Sequence, residues 1–408
     1  MPHPEPIAKP RMTPLELRAT ASLASIYGLR LFGMFVILPV FALYAQTLPG
    51  GASHTEIGIA LGAYGLLQAV LQIPFGWASD RWGRKPVIYS GLLVFAIGSF
   101  VAASGASIGW VIAGRALQGA GAISAAVVAL TADLTRDVVR TRAMAAIGIT
   151  IGATFAASIV AGPVLKGAIG VPGIFVMTGL LALAAIAVVH FAVPSPDGRP
   201  QAAATAPAQL RAVLRDPQLL RLNYGTFALH AVLMALFTQV PFALRDNGLE
   251  AERHWIVYLP VLVVSVLLML PFLRRVDQPS RGKPLMNSSV AVLLLSTFAL
   301  ALSLHSVLAL CIALTAFFTA LNLLEAMLPA LVSKYAASDA RGAAIGVNSS
   351  AQFLGAFVGA AAGGWLAEHA GNTAVFAFCV ALTALWLAAT ATMSSPARYA
   401  TNYSMGET

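Results

Sequence analysis

The segment Gly76-Trp77-Ala78-Ser79-Asp80-Arg81-Trp82-Gly83-Arg84-Lys85-Pro86 forms a short charged link between two long apolar runs. Each run is close to the roughly 20 residues that cross a bilayer as an α-helix. Gly83 permits a tight turn between two helices, and Pro86 suits the first turn of the second helix. The segment therefore predicts two membrane helices joined at the membrane surface.

The composition extends this prediction to the whole chain. Of the 408 residues, 58% are hydrophobic and only 10% are charged, and the mean hydropathy of +0.80 is far from that of soluble domains. The apolar runs lack the strict alternation of a membrane β-barrel, so we expect helices. Twelve spans are predicted, at about 19–45, 56–79, 86–104, 108–132, 143–166, 172–194, 218–244, 253–273, 285–304, 306–332, 342–367 and 372–393.

A polar, proline-rich stretch divides the twelve spans into six and six. The predicted fold class is an all-α membrane protein with two six-helix bundles. The expected parts are an N-terminal segment (1–18), an N-terminal bundle (19–194), a linker (195–217), a C-terminal bundle (218–393) and a C-terminal tail (394–408).

The two halves contain a weak internal repeat at a separation of 198 residues. Lys85-Pro86 recurs as Lys283-Pro284, and the sequence Ala-Ala-Ile-Gly at 145–148 recurs at 343–346. Each match follows a basic loop at the start of a helix, which favours duplication of a six-helix unit. Two similar halves around a central cavity are the architecture of transport by alternating access.

The positive charges indicate the orientation of the chain. All but five of the 25 Lys and Arg residues lie in the terminal segments and in every second loop, and such segments are normally cytoplasmic. Both termini are therefore predicted to be cytoplasmic, in a bacterial inner membrane. This asymmetry explains the net charge of +9 without a nucleic-acid partner.

Other function classes lack their characteristic residues. Cys311 and Cys379 lie inside apolar runs, so neither a disulfide framework nor a metal site is predicted. The sequence has no Gly-x-x-x-x-Gly-Lys-Ser/Thr loop, which argues against ATP-driven pumping. We expect no enzymatic activity, no cofactor and a monomer that lies in the lipid bilayer and carries small molecules.

Asp80 is the least expected residue of the loop. It lies at the C-terminal end of a predicted helix, where the macrodipole disfavours an anion, so a positive partner is expected. Asp133, at the end of the fourth span, is a possible partner of Arg84. Alternatively, the loop charges only anchor the chain at lipid headgroups, which explains the cations but not Asp80. The two candidate partners of Asp80 are the basic cluster Arg81, Arg84 and Lys85, and the start of the eleventh helix near Ser338, Asp339 and Ala340.

The Gly, Asp, Arg, Gly, Arg and Lys residues between Gly76 and Lys85 resemble the loop signature of the major facilitator superfamily. The resemblance covers essentially the whole chain and implies that fold, with twelve helices around a central cavity. In that family the loop latches the two halves together in the outward-facing state. The second-half loop, 273–283, keeps the charges but not the spacing, so no latch is predicted there. The implied latch residues are Gly76, Asp80, Arg81, Gly83, Arg84, Lys85 and Asp133.

Two further stretches resemble motifs of proton-coupled members. The fourth-span sequence Arg-Ala-Leu-Gln-Gly-Ala-Gly starts at Arg115, and an arginine inside a span is a functional candidate. The alternative is that Arg115 extends to the outer surface. The fifth span resembles the glycine-proline motif of antiporters, but Ser158 and Lys166 stand where glycine is usual. Close helix packing is expected at Gly152, Gly162 and Pro163.

Within the superfamily, the sequence resembles the YajR-type drug-proton antiporters. The likeness rests on Gly28-Leu29-Arg30, on Asp133-Leu134-Thr135-Arg136, on Leu229-His230 and on Glu325. Members of that group carry an additional soluble domain after the last helix, whereas this sequence ends at Thr408, soon after its twelfth span.

Proton coupling needs a side chain that binds and releases a proton inside the membrane. Arginine does not deprotonate, which leaves His230 and Glu325 as the principal carriers. His230 is equally compatible with a hydrogen-bonded core residue, and Glu325 with a structural pair to Arg30. The proton-coupling candidates are Glu325, His230, Arg115 and Arg30.

The substrate cavity is expected to be mainly apolar, with few polar anchors. Such a cavity suits hydrophobic or amphipathic compounds. The predicted function is proton-coupled efflux by antiport, and the alternatives are a sugar or metabolite exporter or an uncoupled facilitator. The candidate cavity residues are Gln68, Gln72, Asn322, Asn348 and Gln352.

Overall fold

The computed structural model describes residues 12–194, 207–276, 282–337 and 340–393. Most of the predicted linker, the C-terminal tail, part of the second-half loop and the residues Ser338 and Asp339 lie outside these ranges. The described helices are α1 (Pro14–Phe35), α2 (Leu38–Ala45), α3 (His54–Trp82), α4 (Arg84–Ala103), α5 (Ile108–Ala120), α6 (Ser124–Asp133), α7 (Asp137–Phe191), α8 (Pro207–Arg215), α9 (Pro217–Phe237), α10 (Val240–Asp246), α11 (Trp255–Val276), α12 (Gly282–Leu302), α13 (Val307–Tyr335) and α14 (Arg341–Ala391), with a 3₁₀ turn at Ala251–Arg253.

The described helices account for the twelve predicted spans. Ten helical stretches in these ranges are long and apolar enough to cross a membrane. Two of them, α7 and α14, are each divided by a glycine with positive φ, Gly170 at 68° and Gly371 at 78°. An α-helix cannot continue through that conformation. Each long helix is therefore two spans joined at a turn, and the predicted boundaries at 166–172 and 367–372 lie at these turns.

Three predicted spans are interrupted within the membrane, contrary to the expectation of continuous helices. The breaks fall between α1 and α2, between α5 and α6, and between α9 and α10. In the first and third cases the next helix begins beside Pro39 or Pro241. Proline has no backbone N–H to donate and its ring clashes with the preceding turn, so the helix restarts there.

Two predicted boundaries also differ from the structure. The first helix begins at Pro14 rather than near residue 19, because Thr13 and Glu16 form a capping box that stabilises an earlier start. Residues 207–215, predicted as linker, form α8, whose Val213 is buried in the hydrophobic core. A nine-residue amphipathic helix is too short to be distinguished from a linker by composition.

The structure supports the internal duplication. Lys85 donates from Nζ to the Val193 carbonyl at 2.6 Å, and Lys283 donates to the Ala391 carbonyl at 3.0 Å. The two lysines are 198 residues apart in the sequence, and so are the two residues whose carbonyls they bind. Each lysine therefore binds the C-terminal end of the last span of its own half, where free carbonyls and the helix dipole favour a cation.

The two halves pack closely at one membrane face. We call the face that carries the loop 76–86 the basic face and the other, which carries the loop between α2 and α3, the opposite face. Near the opposite face α3 lies directly against α14, so that a Cβ at Gly58 would overlap the Ala360 carbonyl oxygen. This contact extends to the middle of the membrane, where Ser350 donates to the Ala69 carbonyl at 3.3 Å.

Helix packing is looser towards the basic face. A Cβ added at any of four glycines in the basic-face portions of α7 and α14 would meet no atom within 4 Å. Glycine stripes of this kind normally serve close helix contact. The halves therefore touch at the opposite face, whereas open space lies beside these four positions towards the basic face. The four glycines are Gly148, Gly152, Gly342 and Gly346.

Candidate functional site

The two predicted proton carriers lie in direct contact in the C-terminal half. Nε2 of His230 on α9 is 2.8 Å from Oε1 of Glu325 on α13. The other ring nitrogen, Nδ1, lies 2.9 Å from the Thr226 carbonyl oxygen. The side-chain nitrogen of Gln352 on α14 is 2.9 Å from Nε2. Three helices of the C-terminal bundle therefore converge on one imidazole ring.

The hydrogen-bond pattern requires a proton between His230 and Glu325. A carbonyl oxygen only accepts, so the contact with Thr226 assigns a hydrogen to Nδ1. A neutral ring then has a lone pair on Nε2, which would repel an ionised carboxylate at 2.8 Å. One proton must therefore reside on Glu325 or on Nε2, and the Gln352 amide nitrogen, which only donates, hydrogen-bonds Nε2 when the proton is on Glu325.

The two partners differ in their access to solvent. The His230 side chain is 7% exposed, whereas the Glu325 side chain is 35% exposed. Glu325 is thus the member of the pair that is more accessible from the surroundings, and His230 is the member held inside the protein. The alternative pairing of Glu325 with Arg30 is not found among the described residues, where Glu325 binds His230 and Arg30 contacts Ser124, Gln68 and Tyr64.

A second polar cluster lies in the N-terminal half around Tyr64. The guanidinium groups of Arg30 and Arg115 lie 5.6 and 4.9 Å from the centre of the Tyr64 ring. Arg30 donates to Ser124 Oγ at 2.9 Å and also to Gln68. These cation–π and hydrogen-bond contacts compensate part of the cost of burying two cations.

Arg115 is fully buried, so the alternative that it extends to the outer surface is wrong. Its Nη1 donates to Gln118 Oε1 at 2.7 Å, and Gln118 in turn donates to Ser99 Oγ at 2.7 Å. Within the described ranges, no carboxylate lies within ion-pair distance of Arg115 or Arg30. Both cations are held by neutral partners alone.

Each of the five predicted cavity residues is hydrogen-bonded within its own half. Gln68 donates to Gln72 at 3.0 Å beside Arg30, and Gln352 belongs to the His230 cluster. The two asparagines connect helices instead: Asn322 donates to Ser265 on α11 at 3.2 Å, and Asn348 donates to Thr226 on α9 at 2.7 Å. The polar residues are thus divided between one cluster in each half.

Sequence reasoning missed Tyr64, Ser124, Gln118 and Thr226. Gln118 had a usable signal, since it is three residues after Arg115 and shares its helix face. Ser124 contributes a hydroxyl that only the meeting of helices brings into range of Arg30. Thr226 had a usable signal, since it lies one helical turn before His230 on α9, where its carbonyl can meet the ring. Tyr64 resembles an ordinary packing residue in the sequence.

The loop after α3 is organised around Arg84. Its Nε is 3.0 Å from Asp133 Oδ2, the pair that the sequence suggested. Its Nη1 donates to Ser79 Oγ at 2.8 Å and also binds Asp80. Of the two partners considered for Asp80, the structure contains Arg84 of the basic cluster. At the start of the eleventh helix, Ala340 and Arg341 are described, whereas Ser338 and Asp339 lie outside the described residues.

The remaining loop residues support the turn itself. The helix α3 ends at Trp82, so Asp80 lies in its last turn, and Gly83 follows with φ of 96°. Arg81 lies over the Trp77 ring at 5.5 Å, and Gly76 makes only an ordinary contact with Ala125. Gly83 is the glycine that this geometry requires, because a positive φ is strained for other residues.

The residues of the fifth-span motif differ in how closely they are packed. A Cβ at Gly162 would overlap the Val36 carbonyl oxygen, so α7 packs closely on the end of α1 there. Pro163 continues inside α7. Gly152 has open space around it, so the expected close packing at this residue is wrong for this structure. Lys166, which stands where the motif usually has glycine, binds Glu252 of the other half, with Nζ 2.9 Å from Oε1.

Comparisons with known proteins place this geometry in a family. The chain is 42% identical over 388 residues to the inner membrane transport protein YajR of Escherichia coli K12, covering 95% of this chain and 85% of that protein. A shorter stretch of 96 residues is 34% identical to multidrug resistance protein D of the same organism, about a quarter of either chain.

A solved structure of a D-xylose-proton symporter has the same fold. It superposes with a TM-score of 0.72 at 16% identity, over 92% of this chain and 98% of that one. Residues 23–320 and 250–405 match the sequence profile of the Major Facilitator Superfamily. The chain belongs to the major facilitator superfamily of membrane transporters.

Proposed function

We propose that this transporter exports hydrophobic or amphipathic small molecules across the bacterial inner membrane in exchange for protons. The observation that carries the proposal is the His230–Glu325 contact, whose geometry requires one proton. A carrier that binds one proton at one place and exposes it to one side at a time is the minimum needed for coupling.

The orientation follows from the positive-inside rule. The basic face corresponds to the cytoplasm, because the Lys and Arg residues are concentrated there. Separation of the halves at this face then corresponds to the inward-facing state, with the opposite face closed. In that state Glu325, the more exposed member of the pair, releases its proton towards the cytoplasm and substrate enters.

The return step uses the same pair from the other side. When the opposite face opens, substrate leaves and a proton from outside rebinds between Glu325 and His230. Gln352 and the Thr226 carbonyl hold the ring in place during both steps. Antiport results when the substrate and the proton are bound alternately rather than together.

The substrate class is supported by the apolar environment and by likeness to named proteins. Most buried side chains of both halves are apolar, and a cavity lined by such residues suits apolar ligands. A multidrug resistance protein is similar over one quarter of the chain. A second candidate, a metabolite exporter, is favoured by Arg30 and Arg115, since two cations without a carboxylate suit an anionic metabolite.

The first prediction tests the proton pair. Glu325→Gln keeps the side-chain shape but cannot cycle a proton. In reconstituted vesicles, efflux of a lipophilic dye driven by an imposed pH gradient should fall at least tenfold, which corresponds to about 1.4 kcal/mol of lost coupling. Exchange of the dye at equal pH should persist, because substrate binding does not use the charge.

The matched control is Glu250→Gln, in an exposed loop of the same half. It should retain gradient-driven efflux. Full pH-driven efflux by Glu325→Gln would assign coupling elsewhere, with the Arg30 and Arg115 cluster as the next candidate. Loss of exchange at equal pH as well would indicate that Glu325 binds substrate rather than protons.

A further inference from the structure

The last turn of α3 and the turn inside α14 have the same local design. Asp80 stands three residues before Gly83, which has φ of 96°, and Glu368 stands three residues before Gly371, which has φ of 78°. In both cases an acid occupies the C-terminal turn of a helix, where the macrodipole disfavours it. Both acids therefore need a partner from outside their own helix.

Glu368 finds its partner in the other half of the molecule. Its Oε2 accepts a hydrogen bond from the backbone N–H of Thr55 at 2.8 Å. Thr55 is the second residue of α3, and the next N–H, of Glu56, is accepted by Ser53 Oγ at 3.2 Å. The N-terminus of α3 is thus capped by its own Ser53 and by a carboxylate of the C-terminal half.

The arrangement is also favourable for charge. A helix N-terminus carries about half a positive charge, and a helix C-terminus about half a negative charge. The contact moves the Glu368 carboxylate away from the unfavourable end of its own helix and against the favourable end of another. The electrostatic energy of the Glu368 carboxylate is therefore lowered with respect to both helices.

This contact exists only while the opposite face is closed. One turn before Glu368, a Cβ at Gly364 would overlap the His54 carbonyl oxygen, so the two backbones touch there. Thr55 and His54 belong to one half and Glu368 to the other. Any separation of the halves at this face breaks the hydrogen bond.

We propose that Glu368 is a positioning residue of the transport cycle, the latch of the opposite face, which stabilises the inward-facing state through the N-terminus of α3. The inference rests on the alternating access of the proposed function. It makes Glu368 the counterpart of Asp80: each acid lies in the last turn before a glycine of positive φ, Asp80 at the end of α3 and Glu368 before the turn inside α14.

The two latches would be engaged in turn. In the present structure Glu368 is engaged and Asp80 binds Arg84 of its own half. When the opposite face opens, Thr55 loses its partner while the basic face closes on Asp80. The equilibrium between the two states then depends on the difference between two similar charge-dipole contacts.

The experiment measures conformation, not transport. Spin labels are placed at Thr47 and Glu250 on the opposite face and at Trp82 and Ala337 on the basic face, one from each half, on a background without Cys311 and Cys379. Distances are recorded in nanodiscs without substrate or gradient. The measured distances therefore do not depend on proton coupling through Glu325, so loss of coupling and loss of this latch give different results.

Glu368→Gln should shift the population ratio towards outward-facing roughly two- to fivefold, as expected for an exposed charge at a helix terminus. Opposite-face distances lengthen and basic-face distances shorten. Thr55→Pro, which removes the N–H donor at a helix position that tolerates proline, should produce the same shift. Asp246→Asn, on the same face but paired with its neighbour Arg245, should leave the distances unchanged.

Unchanged distance distributions in Glu368→Gln and Thr55→Pro would overturn the proposal. So would equal shifts in Asp246→Asn, since the effect would then reflect surface charge in general. If Glu368→Gln does not fold, Thr55→Pro alone decides, because it leaves the carboxylate in place.

Discussion

At the scale of single residues, Arg84 explains why so many charges are concentrated in one short loop. It binds the carboxylates of Asp80 and Asp133 and the hydroxyl of Ser79. A guanidinium presents several donors in a rigid fork, so one arginine can join α3, α4 and α6. The loop is therefore held within the N-terminal half, where Asp80 has its partner.

This local pairing refines the prediction for the latch. Asp80→Asn removes the Arg84 ion pair in both states and any contact with the start of the eleventh helix only in the outward-facing state. Only the second loss shifts the equilibrium. We expect a shift towards inward-facing of about 1 kcal/mol, roughly fivefold, seen as longer basic-face distances between spin labels.

Asp133→Asn is the matched control for Asp80. It removes the other carboxylate of Arg84, but Asp133 ends α6 in the same half. It should lower the melting temperature without changing the distance populations. An equal population shift in Asp133→Asn would assign the equilibrium to the Arg84 network as a whole.

Residue-level prediction from the sequence worked for charges and failed for the groups around them. His230 and Glu325 stood out because titratable side chains are rare and costly inside apolar spans. Their mutual contact did not follow, since it depends on how α9 and α13 cross. Tyr64 carried no signal, because an aromatic ring in a span is ordinary until the structure shows two arginines lying over it.

At the scale of helices, glycine decides where the halves meet. Near the opposite face, Gly58 and Gly364 allow α3 and α14 to touch backbone to backbone. Gly364→Ala would force a Cβ against the His54 carbonyl oxygen. We expect this overpacking to destabilise the closed opposite face by about 1–3 kcal/mol, which shifts the spin-label distances towards outward-facing.

Gly342→Ala serves as the control on the same helix, because a Cβ there meets no atom within 4 Å. It should leave the opposite-face distances unchanged. If Gly364→Ala leaves both the distances and the melting temperature unchanged, the close approach of α3 and α14 does not limit opening.

Helix boundaries could be predicted where a single residue type decides them. Gly170 and Gly371 separate paired spans because a positive φ cannot continue a helix. The breaks near Pro39 and Pro241 were missed because hydrophobicity continues unchanged across them. Proline was the available signal, and a hydropathy pattern does not register it.

At the scale of the whole molecule, the sequence identifies the fold but not the state. The repeat at 198 residues and the twelve apolar runs suffice for two bundles around a cavity. Both states of such a transporter use the same residues and differ only in which ends of the halves are in contact. That choice rests on small differences between cross-half contacts, such as Lys166 with Glu252, and no composition or periodicity encodes it.

Lys166 departs from the family motif and forms an ion pair with Glu252 of the other half, and this contact can be tested by mutation. The carboxylate and the ammonium are partly exposed, 44% and 22%, so the pair should contribute no more than about 1 kcal/mol. Lys166→Glu places two carboxylates together and should shift the population towards outward-facing by up to roughly fivefold. The double change Lys166→Glu with Glu252→Lys should restore the wild-type distances.

Ionic strength separates this electrostatic effect from altered packing. Exposed charges are screened over about 3 Å at 1 M salt, so the Lys166→Glu shift should shrink strongly between low and high salt. A shift that persists at high salt, or a double variant that stays outward-facing, would mean that residue 166 acts through packing. The packing in question is that of α7 near Gly167 against Glu252 of the 3₁₀ turn. The charge pair would then not stabilise the closed opposite face.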